Sequence, residues 1–443
     1  MKTMLDILRQ QLHEDLITGS EWCVALSGGV DSTVLLHAIV RLGQEFPGNS
    51  IRAVHVNHHL HVEADDWVVV CQSLCLALGV PLTCCDVTVE RASDDGMEAA
   101  ARTVRYGALT GLLGHGEILL TAHHRDDQVE TLLLRLLRGA GPHGLASIEL
   151  RRPCGQGWLL RPLLDVGRDA LEAYARAQSL TWIEDPANTD TTFDRNFLRH
   201  RVLPILREHW PGLGETIPRA ARLCGEAARI LDDQAERDAA GSGVDESLSI
   251  SILRGLPPAR RHNVVRHWVR QRGLAPPAEA RLRDGLQQLL TAGPDRMPLL
   301  KWGGAQMRRY RDRLYLLEFD PDPAGAALPD TYDWDGRGRI DLGPLRGGLQ
   351  FVRYDGADID LPGDWVVRFR TGGERFESGG QHKSVKNLFQ EQGVVPWMRG
   401  HVPLLYRTGG LVAVGDLWQV DDMGGEGAGK GTQVVWNGRV DAP

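Results

Sequence analysis

Apolar and polar positions follow two rhythms in the first half of this chain. Short apolar runs at 22–26, 51–56, 81–89 and 118–122 read as buried strands. Between them apolar residues recur at helical spacing, which predicts helices at 32–43, 64–78, 97–114 and 126–138. In the first of these helices Leu35, Ala38, Ile39 and Leu42 fall on one face. A further strand at 158–164 and a helix near 167–179 extend the series. Such alternation predicts a parallel sheet covered on both faces, with ligands at the carboxyl ends of its strands. A helix from 218 to 240 then leads into a Gly/Ser stretch at 241–247 that reads as a hinge. Residues 245–320 read as a small helical unit ending in a hairpin strand at 307–317, followed by a Pro/Gly/Ala-rich linker at 320–327. Beyond it, short strands rich in Gly, Trp and Val predict a compact β-rich module. The expected fold class is therefore α/β. A doubly wound parallel sheet (1–225) precedes a mainly helical domain (226–325) and a C-terminal α+β module (340–443).

Composition narrows the setting. The 443 residues are 42% hydrophobic and 24% charged, ordinary for a globular protein. No apolar run reaches the ~20 residues of a membrane span, so no membrane partner and a cytoplasmic location are expected. Seven cysteines without an export signal read as reduced thiols; Cys71, Cys75, Cys84 and Cys85 lie among apolar residues and are expected as buried small hydrophobes. A net charge of −8 argues against general nucleic-acid affinity. The basic groups, however, are nearly all arginine and cluster, as at Arg195/Arg199/Arg201 and Arg308/Arg309/Arg311/Arg313. Clustered guanidinium groups suit phosphates and base edges, although a compositional bias toward arginine gives the same pattern.

The candidate chemistry begins at Ser27-Gly28-Gly29-Val30-Asp31-Ser32, between the first strand and its helix. A small-residue turn at a helix N-terminus gathers backbone N–H groups into an anion cradle. Asp31 belongs beside a phosphate only if a cation is there too, which points to a Mg²⁺-nucleotide. The plainer alternative makes Asp31 or Ser32 a helix N-cap. The Gly-Lys-Ser/Thr of a Walker loop is missing, and no lysine occurs between Lys2 and Lys301. The second strand ends in His55-Val56-Asn57-His58-His59-Leu60-His61, a strand-end loop facing the nucleotide rather than a metal set; His59 and His61 are equally readable as solvated imidazoles. His123-His124-Arg125-Asp126-Asp127 opens a helix on which Asp127 and Glu130 share a face, suiting Mg²⁺ or a substrate ammonium, with Asp126 as N-cap. Glu98, Arg102 and Arg105 share a helix side, where a surface ion pair is the alternative. The loop from Arg138 through Gly144 is either a C-cap or a lid.

The six-residue loop resembles that of the N-type ATP pyrophosphatases. In order, SGGVDS, VNHHL, ARTVRY, AHHRDDQVET, LLRLLRGAGPHGL, RPLL, the 182–188 stretch, Arg195-Asn196 through Arg199, and Lys383 through Phe389 together resemble the bacterial tRNA(Ile)-lysidine synthetases. The resemblance covers most of the chain and is weakest over 235–375. It implies a ligase that uses ATP and Mg²⁺ to adenylate the wobble cytidine of the CAU-anticodon tRNA(Ile), after which free L-lysine displaces AMP. Ser27, Gly28, Gly29, Val30, Ser32, His55, Asn57 and His123 would then line the nucleotide, with Asp31 also on the metal. Asp127 and Glu130 would hold lysine's ammonium groups. Arg102 and Arg105 would join them in catalysis. Arg138, Arg195, Asn196 and Arg199, with Lys383, Lys386, Phe389 and Arg399 in the C-terminal module, would bind the tRNA. A homodimer is left open. A tRNA thiolase of the same superfamily is the alternative, and it needs a reactive cysteine pair or an Fe–S cluster by the nucleotide.

Overall fold

The computed structural model describes residues 3–15, 21–45, 48–89, 97–241, 247–293, 296–318, 329–343, 346–378, 380–421, 423 and 431–438. Most of the 241–247 hinge and the 320–327 linker lie outside them, as does the Glu98 side chain. Two compact units divide within one helix, at Ile230/Leu231.

The first unit opens with helix α1 (Met4–Asp15), β1 (Glu21–Ala25), α2 (Val30–Gly43), β2 (Ser50–Asn57), α3 (Ala64–Leu78), β3 (Leu82–Asp86), α4 (Met97–Gly111), β4 (Ile118–Leu120) and α5 (Arg125–Leu137). A single turn α6 (Pro142–Leu145), the hairpin β5 (Arg151–Cys154) and β6 (Gly157–Leu160), and α7 (Arg168–Ala177) complete the sheet and its cover. The sheet runs β3-β2-β1-β4-β6-β5, parallel except for the antiparallel edge strand β5. β1 shows why the sheet is buried twice. Trp22 and Val24 join the core beneath α1, α2 and α7, while Cys23 points into the core beneath α4 with Leu109 and Leu113. A period of two with both phases apolar gives the unbroken apolar runs seen in the sequence.

The winding places the active edge. The strand order reverses between β1 and β4, so the loops following those two strands flank a crevice at the carboxyl end of the sheet. Those loops carry Ser27–Ser32 and His123–Asp127. After α7 come α8 (Asp194–Phe197), a π-helical turn at Leu198–Val202, α9 (Leu203–His209) and the long α10 (Leu213–Ala239).

The second unit takes the last turns of α10 from Leu231 and continues with β7 (Ser247–Ser249), α11 (Ile250–Gly255), α12 (Pro258–Gln271), α13 (Glu279–Thr291), β8 (Leu299–Trp302), β9 (Ala305–Tyr310) and β10 (Arg313–Leu317). The 307–317 stretch expected as one hairpin strand is two strands, turned at Arg311, which takes a φ of 52°. They lie in a four-stranded sheet, β7-β10-β9-β8. The C-terminal module contains β11 (Thr331–Trp334), β12 (Ile340–Asp341), β13 (Gly348–Arg353), β14 (Trp365–Arg368), β15 (Arg375–Ser378), β16 (Gln381–Ser384), α14 (Val385–Glu391), β17 (Leu404–Arg407), β18 (Gly410–Val414), β19 (Trp418–Gln419) and β20 (Thr432–Trp436). All its strand pairs are antiparallel. Its core is aromatic: Trp334 stacks on Phe351 at 4.5 Å, and Phe351 meets Trp365 at 5.0 Å. β10 serves two cores. Leu314 and Leu316 pack with α12 and α13, while Tyr315 and Leu317 pack into the C-terminal module, where Tyr315 meets Trp397 edge-on.

Candidate active site

The turn after β1 is shaped by glycine. Gly28 sits at φ +85°, and a Cβ there would collide with Ile183 Cδ1. The chain is pinned from behind, because Ile183 N–H donates to Gly28 O at 2.9 Å. Gly29, not Asp31 or Ser32, is the N-cap of α2, in extended conformation and with no side-chain cap. Ser27 and Ser32 hydroxyls lie 3.0 Å apart, and Ser32 Oγ donates to Gly29 O at 3.0 Å. Val30 is buried and anchors the helix start. What remains is a cradle of N–H groups at a positive helix end, edged by two hydroxyls.

Asp31 stands in the first turn of α2. Its Oδ1 is buried with no hydrogen-bond partner, an orphan acceptor beside the cradle. Among the described residues no group of three metal-ligating side chains gathers. An orphan carboxylate oxygen next to a phosphate cradle fits Mg²⁺, which takes one or two carboxylates and fills its sphere from phosphates and water.

Across the crevice, His124 lies with Nε2 3.6 Å from both Asp31 Oδ2 and Asp127 Oδ2, and Nδ1 3.7 Å from Asp126 Oδ2. Burial opposes its charge, but the Asp31 carboxylate, followed by Asp127 and Asp126, raises its pKa above the ordinary value. Its neighbour His123 goes the other way. Burial pushes it down to about 3, helped by Arg161, Arg102 and Arg195 against the pull of Asp127. Two adjacent imidazoles are therefore pulled in opposite directions, His124 toward its charged form by the carboxylates and His123 toward its neutral form by burial. Sequence reasoning passed over His124, although three carboxylates within reach of one loop position were the signal that could have found it.

Asp127 and Glu130 do share one face, and both are buried. They are also filled. Glu130 accepts from Arg195 Nε at 2.7 Å and from Arg199 Nε and Nη2 at 2.6 and 2.9 Å, and its side chain is 1% exposed. Asp127 accepts from Arg195 Nη2 at 2.8 Å and, at its other oxygen, from the His124 backbone N–H at 2.9 Å. Arg195 and Arg199 reach the same carboxylates because they are four apart across α8 and the π-helical turn. Asp126, expected as N-cap, instead ties α5 to its surroundings: it accepts from Arg168 N–H at 2.9 Å and from Arg207. His124 is the N-cap.

The remaining expected site residues have partners of their own. His55 is buried against Leu26 O at 2.9 Å, with its pKa lowered by burial, and Asn57 bonds Asp65 at 2.9 Å. Arg102 and Arg105 flank the Tyr106 ring on α4, at 5.1 and 6.0 Å from its centroid. Arg138 is exposed and pairs with Asp194 at 3.4 Å. The Asn196 side chain, expected on tRNA, is buried and clamps its own loop through Ala187 O and Asp190 O, each at 2.9 Å. Lys383 and Lys386 are exposed. Phe389 is corrected: it is fully buried in the module's core, because α14 turns its apolar face inward, and so offers no ring to a base. Arg399 donates to Val394 O at 2.9 Å and to Tyr310 Oη at 3.1 Å, joining the module to β9.

The cysteines give a thiolase little to work with. Burial pushes the Cys71 thiol up to about 12 and Cys75 to about 11, far from a thiolate at neutral pH. Cys84 is exposed, contrary to the expectation of burial.

Comparison with known proteins agrees with this geometry. The family model for the PP-loop domain matches residues 2–206, the TilS substrate binding domain 248–315, and the TilS substrate C-terminal domain 366–436. The chain is similar to a tRNA(Ile)-lysidine synthase of Alkalilimnicola ehrlichii, with 44% identity covering 90% of each chain. It is 40% identical to that of Methylococcus capsulatus, covering 98% of this chain and 100% of the other. With the Coxiella burnetii protein of that name it shares 38% identity, covering 97% and 95%. With the cradle, the orphan carboxylate and matches along nearly the whole chain, this protein belongs to the tRNA(Ile)-lysidine synthase family of ATP-dependent, PP-loop ligases.

Proposed function

We propose that this enzyme joins L-lysine to C2 of the wobble cytidine in the CAU-anticodon tRNA(Ile). The cytidine O2 attacks the α-phosphorus of ATP and pyrophosphate leaves. The ε-amine of lysine, having lost a proton, then attacks C2, and AMP departs with the O2 oxygen. The observation that carries this reading is the crevice at the strand reversal, where the cradle after β1 faces the His123–Asp127 loop after β4. Ser27, Gly28, Gly29 and Ser32 bind the β- and γ-phosphates. Asp31 holds Mg²⁺, which supplies neutralisation of phosphate charge. Neutral His123 presents an uncharged imidazole to the nucleotide.

Lysine's ammonium goes to Asp127 and Glu130. In the free enzyme Arg195 and Arg199 occupy these oxygens as internal stand-ins for that cation. Two carboxylates and two guanidinium groups already balance, so a further cation enters only when an arginine leaves. The tRNA backbone offers phosphates for it to leave to, which makes lysine binding depend on tRNA. A homodimer is compatible with this scheme and enters no step of it.

The test is mass spectrometry of nucleosides from tRNA(Ile) incubated with enzyme, ATP and isotopically labelled lysine. The expected product is a cytidine heavier by labelled lysine less water, with pyrophosphate released only when both tRNA and lysine are present. A sulfur-containing nucleoside, or turnover indifferent to lysine, overturns the reading.

A further inference from the structure

Arg161 follows β6 directly, at the same carboxyl edge as the nucleotide cradle but two strands along, roughly 10 Å away at ordinary strand spacing. It is 5% exposed, and its guanidinium has no carboxylate for a partner. Nη1 donates to the backbone carbonyl of Glu149 at 2.5 Å, while the buried Nε donates to nothing. Arg102, Arg152 and Tyr106 face it. The guanidinium carbons of Arg102, Arg152 and Arg105 lie 5.1, 5.5 and 6.0 Å from the Tyr106 ring centroid, so with Arg161 four cations crowd one phenol. Arg135 stands nearby, its Nη1 held by the carbonyls of Gly144 and Ser147, with the Glu149 carboxylate facing it. Among the described residues Arg102, Arg152 and Arg161 make no ion pair with a carboxylate.

Gathering like charges and burying one of them without a counter-ion is unfavourable. The neighbouring arginines show that this chain can do otherwise, since Arg195 and Arg199 are matched oxygen for oxygen by Glu130 and Asp127. An anion from outside resolves the cluster. We propose that Arg161, with Arg102 and Arg152, forms a subsite for a backbone phosphate of the RNA substrate, beside His123 and separate from the nucleotide cradle. This rests on the tRNA reading above. A phosphodiester is favoured over the carboxylate of the amino acid because one fork satisfies a carboxylate. Here Arg102 is exposed and Arg152 half-buried, leading from the surface to buried Arg161 like a track. A wobble base brought to this edge of the sheet carries its backbone past the cluster.

The test measures the Kd of unmodified tRNA(Ile) for the full-length enzyme across a salt series, with the KM for lysine and ATP affinity alongside. Arg161→Met and Arg152→Gln are expected each to weaken tRNA binding about tenfold and to flatten the slope of log K against log salt by about 0.7. ATP affinity and the lysine KM stay within twofold. Because a lone buried cation is replaced by a hydrophobe, Arg161→Met melts no lower than the parent. Parental tRNA affinity and slope in Arg152→Gln overturn the subsite, as does a lysine KM raised with tRNA binding intact, which assigns the pocket to the amino acid's carboxylate. A lowered melting temperature in Arg161→Met with unchanged tRNA binding makes the residue structural and also overturns it. Absence of salt-dependent tRNA binding by the parent enzyme is a different failure, that of the tRNA reading itself.

Discussion

At the scale of single residues, conformational demands and charge separate cleanly. Gly28 is held at φ +85° with Ile183 pressed against it, so Gly28→Ala is expected to cost about 2 kcal/mol or more in a denaturant titration and to lose ATP binding with it. Asp31→Asn behaves oppositely. It removes only a first-turn acid and a neighbour of His124, so stability changes by under about 1 kcal/mol. Pyrophosphate release falls on the order of 100-fold or more, because a charge that offsets the phosphates is gone. Turnover retained in Asp31→Asn removes the aspartate from the chemistry. His123 supplies a pH signature. Its folded pKa, about 3, lies below its unfolded value, so the unfolded chain binds the proton first and stability falls as pH drops below ~6.5. Between pH 6.5 and 5 this contributes a loss of about 1.6 kcal/mol, absent in His123→Gln, as melts across that range will show. The residue types of the cradle were legible because six neighbouring positions build it. The role of Arg161 was not, since Tyr106 and Arg102, which face it, lie on a helix remote in sequence; His124 was the nearer miss, with Asp126 and Asp127 beside it in the chain and only Asp31 far away.

At the scale of elements, the meeting of α5 with α8 and its π-helical turn sets the behaviour of the acidic pair. Glu130→Gln leaves two guanidinium groups short of a buried partner and is expected to cost about 3 kcal/mol, the low end of the range for a broken buried pair because both arginines keep some exposure to water. If the arginines stand in for a substrate cation, lysine binds at least about fivefold more tightly with tRNA present than without it, a coupling that isothermal titration measures directly. Equal affinities in the two titrations sink the exchange. The spacing of Asp127 and Glu130 gave their shared face correctly, yet spacing says nothing about who sits opposite. α8 is a four-residue helix running into an irregular turn, too short for periodicity to announce it. The parallel sheet was the most readable element of all, because both phases of each strand are apolar.

At the scale of the whole molecule, Lys383 and Lys386 are exposed basic groups of the C-terminal module, far along the chain from the cradle. Reversing both to Glu is expected to weaken tRNA binding and flatten its salt slope by about 0.7–0.9 for every phosphate no longer gripped, while ATP affinity measured without tRNA is unchanged. Parental binding by the double variant leaves the module with no grip at these lysines. The aromatic residues interleaved with the basic ones were ambiguous in sequence, and burial resolves Phe389 toward the core. β10 sends its alternate side chains into different cores. A strand shared in this way works as a party wall. A chain ending just after it would carry Tyr315 and Leu317 bare on its surface, an adhesive stripe on a strand. The C-terminal module is thus not a cassette that recombination or a protease can lift away cleanly, and any graft that moves it to another scaffold has to bring the wall along.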